Sequence, residues 1–315
     1  MILIIGGSGF LGTNLLRVID ADCINFDKNK SEYFNDITTL GNIINLNELE
    51  GVFQNITHVV LLAAEHKDNV SPVSLYYDVN VDGTKNVLKL MEKFNVNNLI
   101  FTSSVAVYGL NKMNPNEQSE VDPFNHYGIS KYKAEEQIVS WYKKNPKNRS
   151  ATIIRPTVIF GINNRGNVYN LFKQIYNGRF FMISDGKNKK SMAYVENVAF
   201  FIKSILKNSL PGFNIFNYSD KPDLNMNELV SFFKDELKIK TFNFKIPYFV
   251  GVSAGIILDF ISKLTKIKFS VSYVRIKKFC ATTQYDSSKM KKNFNPPFSI
   301  FDGLKKTIEY EFKKK

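Results

Sequence analysis

An apolar run that passes directly into a glycine cluster constrains this chain more than any other feature. Residues 2–5 read Ile-Leu-Ile-Ile, residues 6–12 read Gly-Gly-Ser-Gly-Phe-Leu-Gly, and two leucines follow at 15 and 16. This order predicts a buried strand, a tight turn and a helix. A backbone with glycines at Gly6, Gly9 and Gly12 can approach a pyrophosphate closely at the start of a helix, where free N–H groups favour negative charge. Taken without their sequence context, the glycines could equally form an ordinary turn that binds no phosphate.

The next apolar run ends at an acidic residue. Residues 23–26 predict a second strand, and Asp27 follows about twenty residues after the glycine cluster, where an acid that binds the adenosine ribose is expected. The sequence therefore predicts a dinucleotide site that prefers NAD to NADP. NADP remains an alternative cofactor, because the Lys28 ammonium could bind its 2′-phosphate.

Composition narrows the class of protein and its partners. A chain of 315 residues with 44% hydrophobic residues can bury a large α/β core. Its two cysteines and three histidines have neither a disulfide pattern nor metal-ligand spacing, so no metal is expected. A net charge of +13 indicates an anionic partner. Without a nucleic-acid-binding module, we expect a membrane surface or a phosphorylated substrate rather than nucleic acid. No signal peptide is evident, so the cytoplasm is the expected compartment.

Strands and helices alternate along the first half of the chain. Apolar and amphipathic stretches predict a helix over 40–49, a strand over 57–64, a helix over 73–94 and a strand over 97–104. This alternation predicts a parallel sheet with helices on both faces. Ala63 and Ala64 end one strand, where small side chains either make room for a cofactor or allow close packing. Ser104 ends the other, at the same edge of the sheet.

A tyrosine and a lysine follow on the next predicted helix, which runs towards Trp141. Tyr127 and Lys131 are four residues apart and share one face of the helix. A surface pair is the simplest explanation of that spacing. The order of glycine turn, ribose acid, serine-ended strand and Tyr-x-x-x-Lys is hard to obtain by chance, and it favours a catalytic pair.

With these features in this order, the chain resembles the extended short-chain dehydrogenases/reductases of the nucleotide-sugar epimerase and dehydratase group over nearly its full length. The resemblance implies an α/β fold: a Rossmann-type doubly wound parallel sheet with a smaller C-terminal substrate domain. It implies an NAD-binding domain over residues 1–165, joined by a returning strand near 213–217, and a substrate-binding domain over 166–315. It also implies a homodimer formed through the helices that hold Asn80 and Tyr127.

The resemblance also implies site residues. The catalytic residues would be Ser104, Tyr127 and Lys131. The cofactor would contact Gly6, Gly9, Phe10, Leu11, Gly12, Asp27, Asp36, Ile37, Leu62, Ala63, Ala64, Asn80, Tyr127 and Lys131. The substrate would contact Glu65, His66, Ser104, Val105, Asn167 and Arg179. The chain departs from the family pattern at Leu61, Val158 and Asn197, where a histidine, an asparagine and an acid are common.

In the mechanism that the resemblance implies, the Tyr127 phenolate takes a proton from a sugar hydroxyl while a hydride leaves the same carbon for the nicotinamide. A tyrosine has a pKa of about 10, and a nearby ammonium such as that of Lys131 can lower it by about one to three units. Dehydratases of this group have Asp-Glu after the serine, where this chain has Val105 and Ala106. Because these side chains cannot transfer protons, we expect epimerisation, most simply at carbon 4.

Four stretches resemble a narrower group more closely. Residues 62–67, 164–170, 221–227 and 278–283 are similar to bacterial epimerases that interconvert N-acetylglucosamine and N-acetylgalactosamine on diphospho-undecaprenol for surface polysaccharide (O-antigen) synthesis. A soluble UDP-sugar 4-epimerase is the alternative enzyme. A non-catalytic dinucleotide-binding sensor is the alternative of a different class.

The segment over residues 246–292 is apolar and then basic. Residues 246–258 carry no charge and would form a helix of about 20 Å, too short for a bilayer core of about 30 Å. A core helix of the substrate domain is one interpretation. The nine following bases are Lys263, Lys266, Lys268, Arg275, Lys277, Lys278, Lys289, Lys291 and Lys292, against the single acid Asp286. Together they favour a peripheral contact with the inner face of the cell membrane.

Overall fold

The computed structural model describes residues 1–67, 70–110, 112–240, 244–265, 267 and 272–313. The strands are β1 (Ile2–Ile5), β2 (Cys23–Asp27), β3 (Thr38–Leu40), β4 (His58–Leu61), β5 (Asn98–Thr102), β6 (Ser150–Pro156), β7 (Val158–Phe160), β8 (Met182–Ile183), β9 (Lys189–Tyr194), β10 (Phe213–Tyr218), β11 (Asp220–Asn225) and β12 (Lys245–Ile246). The helices are α1 (Phe10–Val18), α2 (Leu46–Glu50), α3 (Ser74–Tyr77), α4 (Gly83–Lys93), α5 (His126–Lys144), α6 (Asn167–Tyr176), α7 (Val195–Asn208), α8 (Met226–Leu237), α9 (Tyr248–Thr265), α10 (Tyr273–Cys280), α11 (Ser288–Asn293) and α12 (Ile300–Ile308).

Seven parallel strands form the main sheet in the order β10-β6-β5-β4-β1-β2-β3. The strand order reverses between β1 and β4, which makes their carboxyl ends the switch point where a doubly wound sheet binds its ligand. The Rossmann-type doubly wound fold is therefore confirmed. Strand β10 lies beside β6, where the sequence predicts a returning strand.

Helices cover both faces of the main sheet and bury two apolar layers. On one face, Val87 and Leu90 of α4 and Ile138 of α5 pack against the strands. On the other face, Leu15 of α1 and Ile202 of α7 pack against them. Because both faces are covered, β1 is apolar and buried along its whole length.

A second, smaller unit follows β6. Strand β9 pairs in parallel with β7 and in antiparallel with β11, and β8 pairs with β12. Its core contains a cluster of aromatic rings from α6, α8 and the C-terminal turn, in which Phe172 and Phe233 stack with their centroids 4.5 Å apart.

The helix predicted over 40–49 is wrong in its first half. Leu40 ends β3, and α2 begins only at Leu46. The backbone N–H of Gly41 donates to the Asp27 carbonyl oxygen, which continues the strand pairing past Leu40. The Asn45 side chain then caps α2 by accepting hydrogen bonds from the backbone of Asn47 and Glu48.

The charge-free segment is part of a longer helix than the sequence suggested. Helix α9 has eighteen residues and therefore extends about 27 Å. It is the one helix, within the part of the chain that the structure describes, with the length and hydropathy of a membrane-spanning segment. The expected helix length of about 20 Å was thus too short. Gly251 and Gly255 are buried, whereas Phe249 and Leu264 are 71% and 69% exposed. Helix α9 is therefore not a core helix.

The expected cluster of nine bases is divided in the structure. Lys266 and Lys268 lie outside the described residues. Lys263, Arg275, Lys277 and Lys278 lie on α9 and α10, which pack together. The other three bases lie on α11, which packs against β10, because the chain returns to the main sheet after α10.

Candidate active site

The glycine cluster forms a tight turn between β1 and α1. Gly6 has a φ of +94°, and a Cβ atom there would lie 2.5 Å from the backbone nitrogen of Ala63. A Cβ atom on Gly12 would lie 2.4 Å from the Cα of Gly7. The Asn25 side chain accepts a hydrogen bond from the Gly7 N–H over 2.8 Å and fixes the turn to β2. The first N–H groups of α1 have no intrahelical acceptor, so they can bind an anion.

The carboxylate of Asp27 lies at the carboxyl end of β2 and faces the same turn. Its oxygens accept hydrogen bonds from the backbone N–H of Ser8 at 3.0 Å and of Asn29 at 2.9 Å. Asp36 is exposed and Ile37 half-buried on a short 3₁₀ turn, Asn35–Ile37, before β3.

The side chains of Phe10 and Leu11 are half-buried and pack on the apolar core. Both pack on the apolar cluster of the second unit, and Leu11 also reaches the layer beneath α1 and α7. Their backbone N–H groups lie in the first turn of α1, where a cofactor anion could bind.

The loop after β4 lies directly against the glycine turn. The Ala63 N–H donates to the Ile5 carbonyl oxygen over 2.8 Å, and the Ala63 backbone fills the space beside Gly6. Leu62 packs on the apolar layer next to α1 and α7. Ala63 therefore packs closely against the turn at the edge where a cofactor would cross, and Ala64 beside it is half-buried.

Asn80 is buried in a π-helical turn, Asp78–Asp82, between α3 and α4. Its amide nitrogen donates to the Glu65 carbonyl oxygen at 3.0 Å and to the Ser130 hydroxyl at 2.9 Å, and its oxygen accepts from the Glu65 N–H at 2.8 Å. The side chain thus ties the loop after β4 to α5. The Glu65 carboxylate accepts a bond from the backbone of His66, which is itself exposed.

Ser104, Tyr127 and Lys131 come together at the carboxyl end of β5. Ser104 caps a 3₁₀ turn, Val105–Tyr108, and its hydroxyl hydrogen-bonds the Tyr127 side chain. Tyr127 lies in the first turn of α5, and Lys131 lies in the next turn. The Lys131 ammonium donates to the Thr102 carbonyl oxygen over 2.7 Å and lies 4.6 Å from the centroid of the Phe101 ring.

Burial has the largest effect on the pKa values of Tyr127 and Lys131. For Tyr127 the effect is opposite to the lowered pKa that the sequence suggested. Burial raises the pKa of Tyr127 to about 12, although the hydrogen bond with Ser104 acts in the opposite direction. It lowers the pKa of Lys131 to about 7, although the Glu135 carboxylate raises it. The Lys131 ammonium is buried against the Thr102 carbonyl oxygen, and its burial disfavours the charge that was expected to lower the pKa of Tyr127.

The residues expected to contact the substrate are distributed over both units. Val105 is buried in an apolar cluster with Val107, Tyr108 and Tyr285. Asn167 begins α6 and Arg179 follows that helix, and both are exposed. In β9, the Lys190 ammonium donates to the carbonyl oxygens of Lys278 and Ala281, and burial lowers its pKa to about 8.

Sequence reasoning missed a buried polar network that begins one helical turn after Lys131. Arg155 forms two hydrogen bonds with the Glu135 carboxylate, at 2.5 and 3.0 Å, and donates a third to the Tyr108 hydroxyl at 2.8 Å. Tyr108 donates in turn to Asn217 of β10 at 2.8 Å. The available signal was Glu135, which follows Lys131 by one helical turn and so shares its face.

The chain is similar to known proteins in sequence and in fold. Residues 2–218 match the model of the NAD-dependent epimerase/dehydratase family. The chain is 54% identical over 314 residues, 99% of its length and 95% of the relative, to the N-acetyl-α-D-glucosaminyl-diphospho-ditrans,octacis-undecaprenol 4-epimerase of Escherichia coli O157:H7. It is 27% identical, over 98% of its length and 97% of the relative, to the sterol-4-α-carboxylate 3-dehydrogenase of Candida albicans. The UDP-glucose 4-epimerase of Thermotoga maritima, solved with UDP-glucose, has the same fold, with a TM-score of 0.78 at 21% identity over 99% of each chain.

Proposed function

Because this chain belongs to the NAD-dependent epimerase/dehydratase family, we propose that it interconverts N-acetylglucosamine and N-acetylgalactosamine on diphospho-undecaprenol by transient oxidation at carbon 4. The likeness to the E. coli relative over nearly the whole chain supports this substrate. The meeting of Ser104, Tyr127 and Lys131 at the carboxyl end of β5 is the observation that carries the catalytic assignment. The product would serve surface polysaccharide synthesis.

NAD is the cofactor, and the residues at the switch point fit it. The turn at Gly6 and Gly12 has no room for side chains, so backbone N–H groups would hold the pyrophosphate. The Asp27 carboxylate can accept the ribose hydroxyls of the adenosine half. When bound, NAD accepts a hydride from the sugar carbon and returns it to the same carbon.

Tyr127 acts as the base that takes the proton from the hydroxyl on carbon 4 and later gives it back. Burial raises the pKa of its phenol to about 12, so the phenolate would need a positive charge nearby, because an opposite charge favours the ionised form. Ser104 would donate a hydrogen bond to the reacting oxygen, and Lys131 would hold the nicotinamide ribose. General-base catalysis of this kind contributes about a hundredfold to ten-thousandfold in rate.

The side chains after Ser104 exclude the dehydration that related enzymes perform. Val105 is buried and apolar, and Ala106 has a methyl group only. Neither can remove a proton from carbon 5 or protonate a leaving hydroxyl. The ketone is therefore reduced again, and the net reaction is an inversion at carbon 4.

A comparison of two donors tests the proposal. Purified protein is incubated with N-acetylglucosamine linked to diphospho-undecaprenol or to UDP, and the released sugars are identified. We expect N-acetylgalactosamine from the lipid-linked donor, at a kcat/KM well above that for the UDP donor. The Tyr127→Phe variant, made in parallel, should yield none. Turnover of the UDP-linked donor alone would make this a UDP-sugar 4-epimerase.

We also propose that the protein is cytoplasmic and binds the inner face of the cell membrane through α9. Apolar side chains on this helix are exposed, namely Phe249, Val250, Ile256, Ile257, Phe260 and Leu264. Gly251 packs on Ile183, and the Asp259 carboxylate accepts a hydrogen bond from the Tyr273 N–H. Because one side of α9 is held by the second unit, a position along the membrane surface is favoured over a position across it.

Because basic residues lie beside α9, the membrane contact should favour anionic lipids. Lys263, Arg275 and Lys277 lie on α9 and α10, and basic residues near an anionic leaflet contribute about 1 kcal/mol each. We expect sedimentation with acidic vesicles at low salt and release at high salt. Phe249→Ser with Phe260→Ser should prevent sedimentation, whereas Phe301→Ser, at an exposed site on α12, should not. Protein that stays in the supernatant with acidic vesicles at low salt contradicts the anchoring.

We also propose that two copies of the chain form a homodimer through α4 and α5. The resemblance to the family supports this arrangement. These helices pack side by side on one face of the main sheet. Analytical ultracentrifugation should give twice the mass of a 36.1 kDa chain. A single species at the monomer mass contradicts this part.

A further inference from the structure

A buried ion pair joins the main sheet to the helix that carries Tyr127 and Lys131. Arg155 of β6 is 3% exposed, and its partner Glu135 of α5 is 2% exposed. The guanidinium donates from Nε and Nη2 to the two carboxylate oxygens of Glu135, at 3.0 and 2.5 Å. Such a two-pronged bond fixes the orientation of both groups as well as their distance. Because removing two charges from water is costly, a buried ion pair often adds little to stability. A role other than stability is therefore worth identifying.

Glu135 lies on the same face of α5 as the catalytic pair. Tyr127, Lys131 and Glu135 follow one another at intervals of four residues. The Lys131 ammonium is bonded to the Thr102 carbonyl oxygen of β5, and Arg155 belongs to β6, which pairs with β5. The bond between Arg155 and Glu135 therefore helps to set the height and the rotation of α5 above these two strands.

A third bond of Arg155 reaches the turn that begins at Ser104. Its Nη1 donates to the Tyr108 hydroxyl at 2.8 Å, and the guanidinium carbon lies 5.0 Å from the centroid of the same ring. Tyr108 is the last residue of the 3₁₀ turn that Ser104 caps. One side chain is thus bonded both to the helix that carries Tyr127 and to the turn that carries Ser104.

The Tyr108 hydroxyl is also held by β10. It donates to the Asn217 side chain at 2.8 Å. The Asn217 amide nitrogen donates in turn to the carbonyl oxygens of Pro115 at 3.2 Å and Asp286 at 3.1 Å. These bonds fix the end of the 3₁₀ turn through groups that belong to other elements than α5. Arg155 therefore links α5 to a turn that is already fixed.

A second contact between the 3₁₀ turn and α5 lies at the start of the helix. A Cβ atom on Gly128 would lie 2.6 Å from the Ala106 carbonyl oxygen, so the first turn of α5 touches the backbone of the 3₁₀ turn. The bonds of Arg155 lie about two helical turns further along α5. Together the two contacts set the position and the rotation of the segment that holds Tyr127 and Lys131.

We propose that Arg155 is a positioning residue for catalysis. Acting through its partners Glu135 and Tyr108, it holds the helix and the turn so that the two reacting hydroxyls, those of Ser104 and Tyr127, stay aligned. This role rests on the proposed function. A displacement of about 1 Å at the reacting groups can lower a rate by about a hundredfold. The planar fork of an arginine suits the task, because a lysine offers a point charge without a fixed geometry.

Removal of both charges separates positioning from stability. In Arg155→Met with Glu135→Met, no buried charge is left unpaired, and apolar side chains of similar volume often replace a buried ion pair without loss of stability. We expect this double variant to fold and to bind NAD. With the lipid-linked donor, its kcat should fall by at least about tenfold while the KM stays within about threefold of the original value.

Two single variants test the geometry of the link. Arg155→Lys keeps a positive charge opposite Glu135 but loses the fork, so its kcat should fall by at least about tenfold as well. Tyr108→Phe leaves the ion pair in place and removes only the hydroxyl that joins it to the turn, so it should also lower kcat, by a smaller factor.

The matched control is a second arginine–glutamate pair that contacts α5. Arg149 donates to the Glu92 carboxylate at 3.3 Å and to the Trp141 carbonyl oxygen near the end of α5. It directly precedes β6, so the length of that strand separates it from Arg155. Arg149→Met with Glu92→Met should leave kcat unchanged.

Unchanged kcat in the folded Arg155 and Glu135 double variant, or in Tyr108→Phe, overturns the positioning role. A normal kcat in Arg155→Lys overturns it too, because charge without the fork would then be enough. A crystal structure of the double variant gives a readout without turnover, in which we expect the hydrogen bond between Ser104 and Tyr127 to be lost. A double variant that keeps this bond contradicts the proposal. If the unsubstituted protein turns over neither donor, the proposed function fails, and the crystal structure alone decides whether Arg155 aligns the two hydroxyls.

Discussion

The backbone N–H of Ser8 donates a hydrogen bond to the Asp27 carboxylate over 3.0 Å, so the glycine turn and the end of β2 are held together. The other carboxylate oxygen accepts from the Asn29 N–H. Each ionised oxygen can accept more than one hydrogen bond, so Asp27 remains able to bind the ribose hydroxyls of NAD.

We expect Asp27→Ala to weaken NAD binding by about tenfold to a hundredfold, since hydrogen bonds to a charged group contribute about 1.5–3 kcal/mol. Binding of NADP should weaken less, because the substitution removes a negative charge that opposes a 2′-phosphate. Calorimetric titration of both cofactors measures the two changes. Asp22→Ala, at the exposed residue before β2, is the matched control. Unchanged NAD affinity in Asp27→Ala would exclude Asp27 from the ribose site.

Tyr127→Phe should reduce kcat by at least about a hundredfold while NAD binding and the melting temperature stay near those of the unsubstituted enzyme. The substitution removes only the hydroxyl that exchanges the proton. Tyr132→Phe changes a tyrosine on the same helix that packs beside Val105 and Tyr108, and it should retain activity. A Tyr127→Phe enzyme with a near-normal rate would show that the base is another group.

Lys131 should make the stability of the cofactor-free protein depend on pH. Burial lowers its pKa to about 7 in the folded protein, whereas a lysine in the unfolded chain keeps its proton up to about pH 10. Between these values the unfolded state binds more protons, so the free energy of unfolding rises with pH. Below about pH 7 both states hold the proton and the slope vanishes.

Urea unfolding of the enzyme and of Lys131→Met, at several pH values between about 6 and 9, measures this effect. The free energy of unfolding of the enzyme should rise relative to that of the variant by up to about 1.4 kcal/mol per pH unit above pH 7. Parallel pH profiles would show that the ammonium keeps its ordinary pKa when folded.

Asn80→Ala should lower the free energy of unfolding of the cofactor-free protein by about 2–4 kcal/mol, because it removes the hydrogen-bond partner of both part-buried backbone groups of Glu65 and of the buried Ser130 hydroxyl. Asn97→Ala, which removes one exposed hydrogen bond, should cost less than about 0.5 kcal/mol. If Asn80 served cofactor binding alone, the loss would appear only in the presence of NAD.

The parts of the site that the sequence predicts are those with a local pattern. Gly6, Gly9 and Gly12 are spaced for one turn, Asp27 ends the next strand, and Tyr127 and Lys131 share a helical face. Each of these patterns follows from the geometry of a single element, so the chain order alone indicates where they lie.

Long-range contacts were not predictable in the same way. The acceptor of the Lys131 ammonium is a backbone carbonyl oxygen of β5, which has no signature in the sequence. Arg155 and Glu135 come together only because β6 and α5 pack on each other. The basic residues after α9 look like one cluster in the sequence, yet α11 carries three of them to the main sheet.

The fate of the hydrogen on carbon 4 tests the central claim most directly. Purified enzyme is incubated in ordinary water with lipid-linked N-acetylglucosamine that carries deuterium on carbon 4, and both product sugars are analysed by mass spectrometry. Since the hydride returns to the carbon it left, we predict a mixture of N-acetylglucosamine and N-acetylgalactosamine with the deuterium retained and no net formation of NADH. Loss of the deuterium to water, or formation of NADH in proportion to substrate, would contradict transient oxidation at carbon 4.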